Sequence, residues 1–405
     1  MKTEREFPVV TITKKGENFI EDGNNWVYEN EVLSISKEHD NGDIVDVVSE
    51  KGKYLGSGFI SDVSKIRVRI FSKNANDTFD REFFKRRLKY ALDYRLTVMD
   101  SIDNCRIVFG EADGFPGLTI DKYNDILVSQ IATIGIDIRK DMIFESLLEV
   151  FKEAGIEINA IYERNDLNSR VLDGLESYKD YYWHSDKYDL STKETIILEN
   201  GIKYYVDFIE GQKTGYFLDQ KFNRDLVGRI AKGKKVLDCF THTGSFGLNC
   251  AKNGAAKVVS VDISPLAIEQ SRRNVELNHL EDRIEYVKAD IFKYLDSVKK
   301  REYDIIILDP PAFTKSRSTV MAAFNGYKRI NSEAMRLLGK GGYLVTCSCS
   351  HFMNEELFVK MLLEAAKENN VTIKQISYTQ QGKDHPILLS SNQTDYLKFY
   401  ILQLM

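Results

Sequence analysis

The chain has 405 residues, 43% of them hydrophobic and 29% charged, with a formal net charge of −5. That length suits two or three domains, because single cores rarely grow past about 250 residues. The acidic balance argues against indiscriminate coating of nucleic acid, although one domain can still carry a basic face. No apolar run reaches the about 20 residues of a membrane span, and the first residues lack a signal peptide's apolar core. The five cysteines show no metal spacing, and Cys347 and Cys349 are too close for an ordinary disulfide framework. A reducing, cytoplasmic setting without membrane or metal is expected.

Residues 1–73 read as a small β-rich domain. Val9-Val-Thr-Ile and Asp43-Ile-Val-Asp-Val-Val are β-branched runs, and Asn41-Gly42 suits a tight turn. In Lys65-Ile-Arg-Val-Arg-Ile70 cationic and apolar residues alternate. Lys65, Arg67 and Arg69 would then share one strand face, with Ile66, Val68 and Ile70 toward the core. That face is either merely solvated or a phosphate-contacting strip for RNA.

Residues 74–190 read as a central α+β domain. A helix is expected from Thr78, with Asp80 and Glu82 in its first turn. Phe79, Phe83, Phe84, Leu88, Ala91 and Leu92 form its apolar stripe; Arg81, Lys85, Arg86, Arg87 and Lys89 lie on the other face. Solvation and RNA contact are equally compatible with that basic face. Asp113-Gly-Phe-Pro-Gly117 predicts a turn, followed by a meander, a helix around Arg139–Glu153 and a strand at Ala160–Glu163. Glu163-Arg164 and Arg170 could touch a substrate, but a structural ion-pair role is expected.

Residues 191–405 alternate strand and helix, the signature of a parallel sheet covered on both faces. Val236-Leu237 leads to Asp238, a polar turn, and then Gly244-Ser-Phe-Gly opening a helical run. Such a strand–turn–helix builds a nucleotide-type pocket at a strand's carboxyl end. Asp262 closes the next strand, where a carboxylate can accept both hydroxyls of a ribose. Asp290 and Asp309 close two further strands, giving four carboxylates along one sheet edge. No Lys-Ser/Thr follows the turn, and Asp238 would repel a pyrophosphate. Carboxylates suit a cationic nucleoside such as S-adenosylmethionine. Upstream, Gln212-Lys-Thr-Gly-Tyr-Phe217 is either a plain hairpin segment or a flap over the cofactor.

The arrangement resembles class I S-adenosylmethionine-dependent methyltransferases. More narrowly, the whole chain resembles the RlmI-like large-subunit rRNA cytosine-5 methyltransferases, through Gly56-Ser-Gly-Phe, Gly110-Glu-Ala-Asp-Gly-Phe-Pro-Gly-Leu118, Ile161-Tyr-Glu-Arg164, Gln212–Gln220, Asp309-Pro-Pro-Ala-Phe313 and Thr346-Cys-Ser-Cys-Ser350. The resemblance implies an α/β fold with a Rossmann-like seven-stranded sheet, its last strand antiparallel, behind an N-terminal PUA domain. It implies that Asp238, Phe240, Thr241 and Gly244 hold the methionine end, Asp262 with Ile263 the ribose, and Asp290 with Ile291 the adenine. Gln212, Lys213, Thr214, Tyr216 and Phe217 would cover the cofactor, with Pro310 beside it. Cys349 falls in the nucleophile's place, with Cys347 as rival or helper, and Asp309 would bond the cytosine edge. Phe313 could stack on the flipped base, while Lys65, Arg67, Arg69, Lys85 and Arg86 would contact RNA. The implied partner is large-subunit rRNA, and a homodimer is left open. Two departures stand out: Phe240 and His242 occupy turn positions where small residues are usual, and Ala312 stands where two-cysteine relatives carry a second cysteine. The rival readings are a base-nitrogen RNA methyltransferase, which needs no thiol, and a non-catalytic RNA-binding assembly factor.

Overall fold

The computed structural model describes residues 5–314, 316–391 and 393–405. The chain forms two compact units: one takes the chain through Thr195 with Val206–Leu218 and Lys383–Thr394, the other takes Ile196–Tyr205, Asp219–Gly382 and Asp395–Met405.

The first unit holds a six-stranded and a five-stranded sheet. In the six-stranded sheet the alternation of Ile66–Ser72 holds for Val68 and Ile70, buried at 0% and 2% exposure, whereas Ile66 at the start of the strand is only half-buried. The five-stranded sheet includes Tyr178–His184, an edge strand that the mixed polar and aromatic sequence did not announce. The helix spans Arg81–Val98 and buries Phe83, Phe84, Leu88, Ala91 and Leu92. Asp80 lies before it rather than in its first turn: its carboxylate caps the helix by accepting from the Phe83 N–H. This satisfies one of the donors that every helix start leaves open.

The second unit is built on seven strands: β1 (Lys235–Cys239), β2 (Lys257–Asp262), β3 (Ile284–Lys288), β4 (Ile305–Leu308), β5 (Tyr343–Ser348), β6 (Ile373–Thr379) and β7 (Lys398–Leu404). They lie side by side in the order β3-β2-β1-β4-β5-β7-β6. The first five in that order run parallel, and β7 pairs antiparallel with both β5 and β6. All four residues of β4 are buried, because a central parallel strand is covered on both faces and reads as an unbroken apolar run. The carboxyl ends of β1, β2 and β4 therefore reach one edge, which is where open α/β sheets bind ligands.

A buried ion pair ties the hairpin before this sheet to its first helix, Lys221–Ile230. Arg224 donates twice to Glu199, at 2.6 and 2.9 Å, and both side chains are at most 2% exposed. Glu199→Ala takes both acceptor oxygens from a buried guanidinium, so we expect a loss of about 3–5 kcal/mol. Urea unfolding measures this; an unchanged midpoint would contradict it. No helix of the described residues is long and apolar enough to cross a membrane.

Candidate active site

The turn after β1 is held by unusual backbone. Phe240 and His242 adopt left-handed φ values of 62° and 49°, and Gly244 adopts 80°. This explains why glycine is common at such positions, since other residues cost about 1–2 kcal/mol there. At Gly244 itself a side chain is excluded, because a Cβ would meet the Tyr286 hydroxyl at 2.7 Å. Gly247, at the start of helix Ser245–Lys252, is equally constrained, with Ser260 Oγ at 2.6 Å from its notional Cβ.

These constraints serve Asp238, which is fully buried. One carboxylate oxygen accepts from Thr241 Oγ1 at 2.5 Å, from the Gly247 N–H at 3.0 Å and from Ser260 Oγ at 3.4 Å. The other, Oδ1, has no hydrogen-bond partner among the described residues. Burial, aided by the charge of Asp309, pushes the carboxyl up to about 7, against the pull of those donors. The folded state thus favours the protonated form, a contribution present below about pH 4 and lost as pH rises through 7. We expect Asp238→Asn to flatten the pH dependence of ligand-free stability by about 2–3 kcal/mol between pH 5 and 8. Parallel urea-melt curves for the two proteins would contradict this.

Asp262, at the end of β2, accepts from the His242 N–H at 3.0 Å with one oxygen and from the Ser264 N–H at 2.9 Å with the other. It thereby ties the turn to the start of the next helix, while Ile263 beside it is 64% exposed. Asp290 caps helix Ile291–Ser297 by accepting from the Lys293 N–H. Ile291 is buried in the core, so only its main chain can face a ligand. Sequence reasoning missed Ser260 and Ser271, whose hydroxyls hold Asp238 and the His242 carbonyl. Ser260, a buried polar residue inside an otherwise apolar strand, was the legible signal for the first.

The second cluster forms where β4 and the neighbouring β5 end. Cys347 donates its thiol proton to Asp309 Oδ1 at 2.8 Å, and Gln220 Nε2 donates to the sulfur at 3.6 Å. Cys347 is 1% exposed, and burial beside Asp309 pushes its thiol well above the ordinary range. Cys349, two residues on, is partly exposed. Phe313 packs on Tyr327 with ring centroids 4.5 Å apart. Gly326 makes room for this: a Cβ there would meet the Phe313 ring at 3.2 Å. Tyr327 also accepts from Ser348 and pairs with Ser350. Pro310 is buried and Ala312 half-buried in the same segment.

The other sequence candidates fall in the first unit. Thr214 is buried, donating to Asp121 at 2.6 Å and meeting the Tyr123 hydroxyl at 3.1 Å. Its side chain thus anchors the Gln212–Phe217 segment to the five-stranded sheet. Tyr216 is buried, Gln212 and Lys213 are exposed, and the Lys213 ammonium lies 4.6 Å from the Phe217 ring centre. Arg67 pairs with Asp62 and Glu29, Arg69 with Asp173, and Lys85 with Glu149 and Glu153. Lys65 and Arg86 are exposed, with Arg86 over the Phe83 ring. The expected basic helix face is thus largely matched by carboxylates. Arg87 does not belong to it at all, donating instead to the carbonyls of Phe71 and Gly114. As expected, Glu163 pairs with Lys140, Arg164 with Asp166 and Arg170 with Asp137.

Known proteins match both halves of this architecture. Residues 181–385 match the family model for S-adenosylmethionine-dependent methyltransferases, and residues 10–73 match a PUA-like domain. Ribosomal RNA large subunit methyltransferase I of Shewanella amazonensis is 40% identical over 378 residues, covering 92% of this chain and 93% of the relative. The chain belongs to the ribosomal RNA large subunit methyltransferase I family. The same-named protein of Aeromonas salmonicida is 36% identical over 93% of this chain and 94% of its own. A candidate SAM-dependent methyltransferase of known structure from Streptococcus mutans shares the fold, with a TM-score of 0.81 at 22% identity, covering 98% of this chain and 99% of that one. The family's methyl donor is S-adenosylmethionine, and the residues present fit it. Asp238 Oδ1 is buried and without a partner among the described residues, free to meet a polar ligand group, and carboxylates at three further strand ends suit a cationic nucleoside.

Proposed function

We propose that this member of the family methylates carbon 5 of a cytidine in large-subunit rRNA, with Cys349 as the attacking thiol. The observation that carries this reading is the pairing at the β4–β5 edge: a partly exposed Cys349 stands beside a buried Cys347 whose thiol donates its proton to Asp309. Carbon 5 of cytosine is a poor nucleophile until a thiolate adds to carbon 6. In this reading Cys349 forms that bond, and Asp309 bonds the cytosine edge and holds the ring in place for it. Bound S-adenosylmethionine supplies the methyl group as an electrophile. Loss of the carbon-5 proton to a base and expulsion of the thiolate then restore the ring. Cys347 is buried and protonated, which suits a helper that fixes Asp309 rather than a nucleophile that must reach a base.

For the cofactor, we assign Asp238, Phe240, Thr241 and Gly244 to the methionine end, Asp262 and Ile263 to the ribose, Asp290 and the Ile291 main chain to the adenine, and Pro310 to the edge nearest the reaction. Phe313, already packed on Tyr327, offers a face for a base taken out of its helix. The PUA-like residues 1–73 and the central residues 74–190 would dock the RNA, with Lys65 and Arg86 the most accessible of the predicted cations. Nucleoside mass spectrometry of rRNA from cells lacking this protein tests the assignment. The account expects one 5-methylcytidine to disappear from large-subunit rRNA; loss of a methylated purine instead would favour the base-nitrogen reading.

A further inference from the structure

Lys398 has no part in the mechanism above, yet it is a buried cation next to the proposed nucleophile. It opens β7 directly opposite Ser348 of β5 in the antiparallel register. Its side chain is 4% exposed, and its Nζ donates to the carbonyls of Ser350 and Tyr396, both at 2.8 Å. The Ser350 carbonyl belongs to the residue after Cys349, so the ammonium is fixed to the backbone that carries the thiol. A buried lysine is expensive to keep charged, and cores rarely retain one without a specific reason. Burial brings this ammonium down to about 8, while the charges of Asp395, Cys349 and Cys347 act to hold the proton on.

We infer that Lys398 is a positioning residue that favours the thiolate of Cys349 and fixes the Cys349–Ser350 backbone. The other charged and titratable groups beside this backbone do not supply a buried cation: His351, two residues past Cys349, is exposed. Asp309 faces Cys347, and the Tyr327 hydroxyl is engaged by Ser348 and Ser350. Tyr396 donates to Asp219 and Tyr400 to Glu355. Asp395 is an anion and would oppose a thiolate. A cation beside a thiol favours ionisation, and low-dielectric surroundings strengthen the effect. The thiol proton leaves to solvent, and at neutral pH Lys398 keeps its own proton.

The catalytic meaning of this inference rests on Cys349 being the nucleophile, but its test does not need RNA. The pH dependence of iodoacetamide alkylation at Cys349 is followed on the full-length protein, with Cys349 and Cys347 distinguished by fragment masses. Lys398→Met should raise the alkylation midpoint by about one pH unit, slowing the reaction at pH 7 about tenfold. Lys398→Gln can still donate to the Ser350 carbonyl but carries no charge, and should shift it equally, while Lys398→Arg should restore it. An unshifted midpoint in the folded Met or Gln variant overturns the inference. A shifted midpoint without any thiol adduct on RNA would instead uphold the electrostatics and reject the nucleophile.

Discussion

Cys349→Ala is expected to abolish methyl transfer while leaving S-adenosylmethionine affinity within about twofold of the parent. The loss should be on the order of 10⁴-fold or more, the scale set by removing a covalent nucleophile. Cofactor binding survives because the carboxylates assigned to the cofactor, Asp238, Asp262 and Asp290, stand on or just after β1, β2 and β3, whereas Cys349 follows β5. Cys347→Ala provides the contrast. It removes the thiol proton that Asp309 accepts at 2.8 Å, so Asp309 loses its orientation but the attacking group remains. A drop of about 10²-fold is expected, the usual cost of a displaced catalytic group. Single-turnover rates on the RNA substrate separate the two. If Cys347→Ala were dead and Cys349→Ala active, the roles of the two cysteines would be exchanged.

Asp262→Ala is expected to weaken S-adenosylmethionine binding about 10- to 100-fold. Hydrogen bonds to a charged acceptor are worth about 1.5–3 kcal/mol each when their partner is left unsatisfied. Part of the loss would come through the turn itself, since Asp262 also holds the His242 and Ser264 N–H groups. Asp262→Asn keeps one oxygen acceptor and should lose less. Calorimetry on the two variants reads both effects, and unchanged affinity in the alanine variant rejects the ribose role.

Much of the methyltransferase sheet was legible because its strands are short apolar runs that end in aspartates, a pattern set by burial on both faces. The helix after β4 shows where local reading falls short. A glycine disfavours a helix interior, yet this helix runs from Val320 to Leu338 and holds Gly326 mid-helix because the Phe313 ring needs the space. Arg87 was placed on a solvent face by helical spacing, whereas distant carbonyls on Phe71 and Gly114 draw it inward. Lys398 was invisible for the same reason: it meets Ser350 only through an antiparallel pairing across 48 residues of sequence. Spacing reveals faces; it does not reveal which distant partner a side chain finds.

The central claim is the covalent adduct, and one measurement addresses it directly. The protein is incubated with S-adenosylmethionine and rRNA transcripts carrying 5-fluorocytidine, whose carbon 5 has no proton to lose. The account predicts a protein–RNA complex that survives denaturing electrophoresis, with the nucleotide attached at Cys349 by peptide mass analysis. Methyl transfer to the RNA with no such complex, or a complex attached elsewhere, would contradict it.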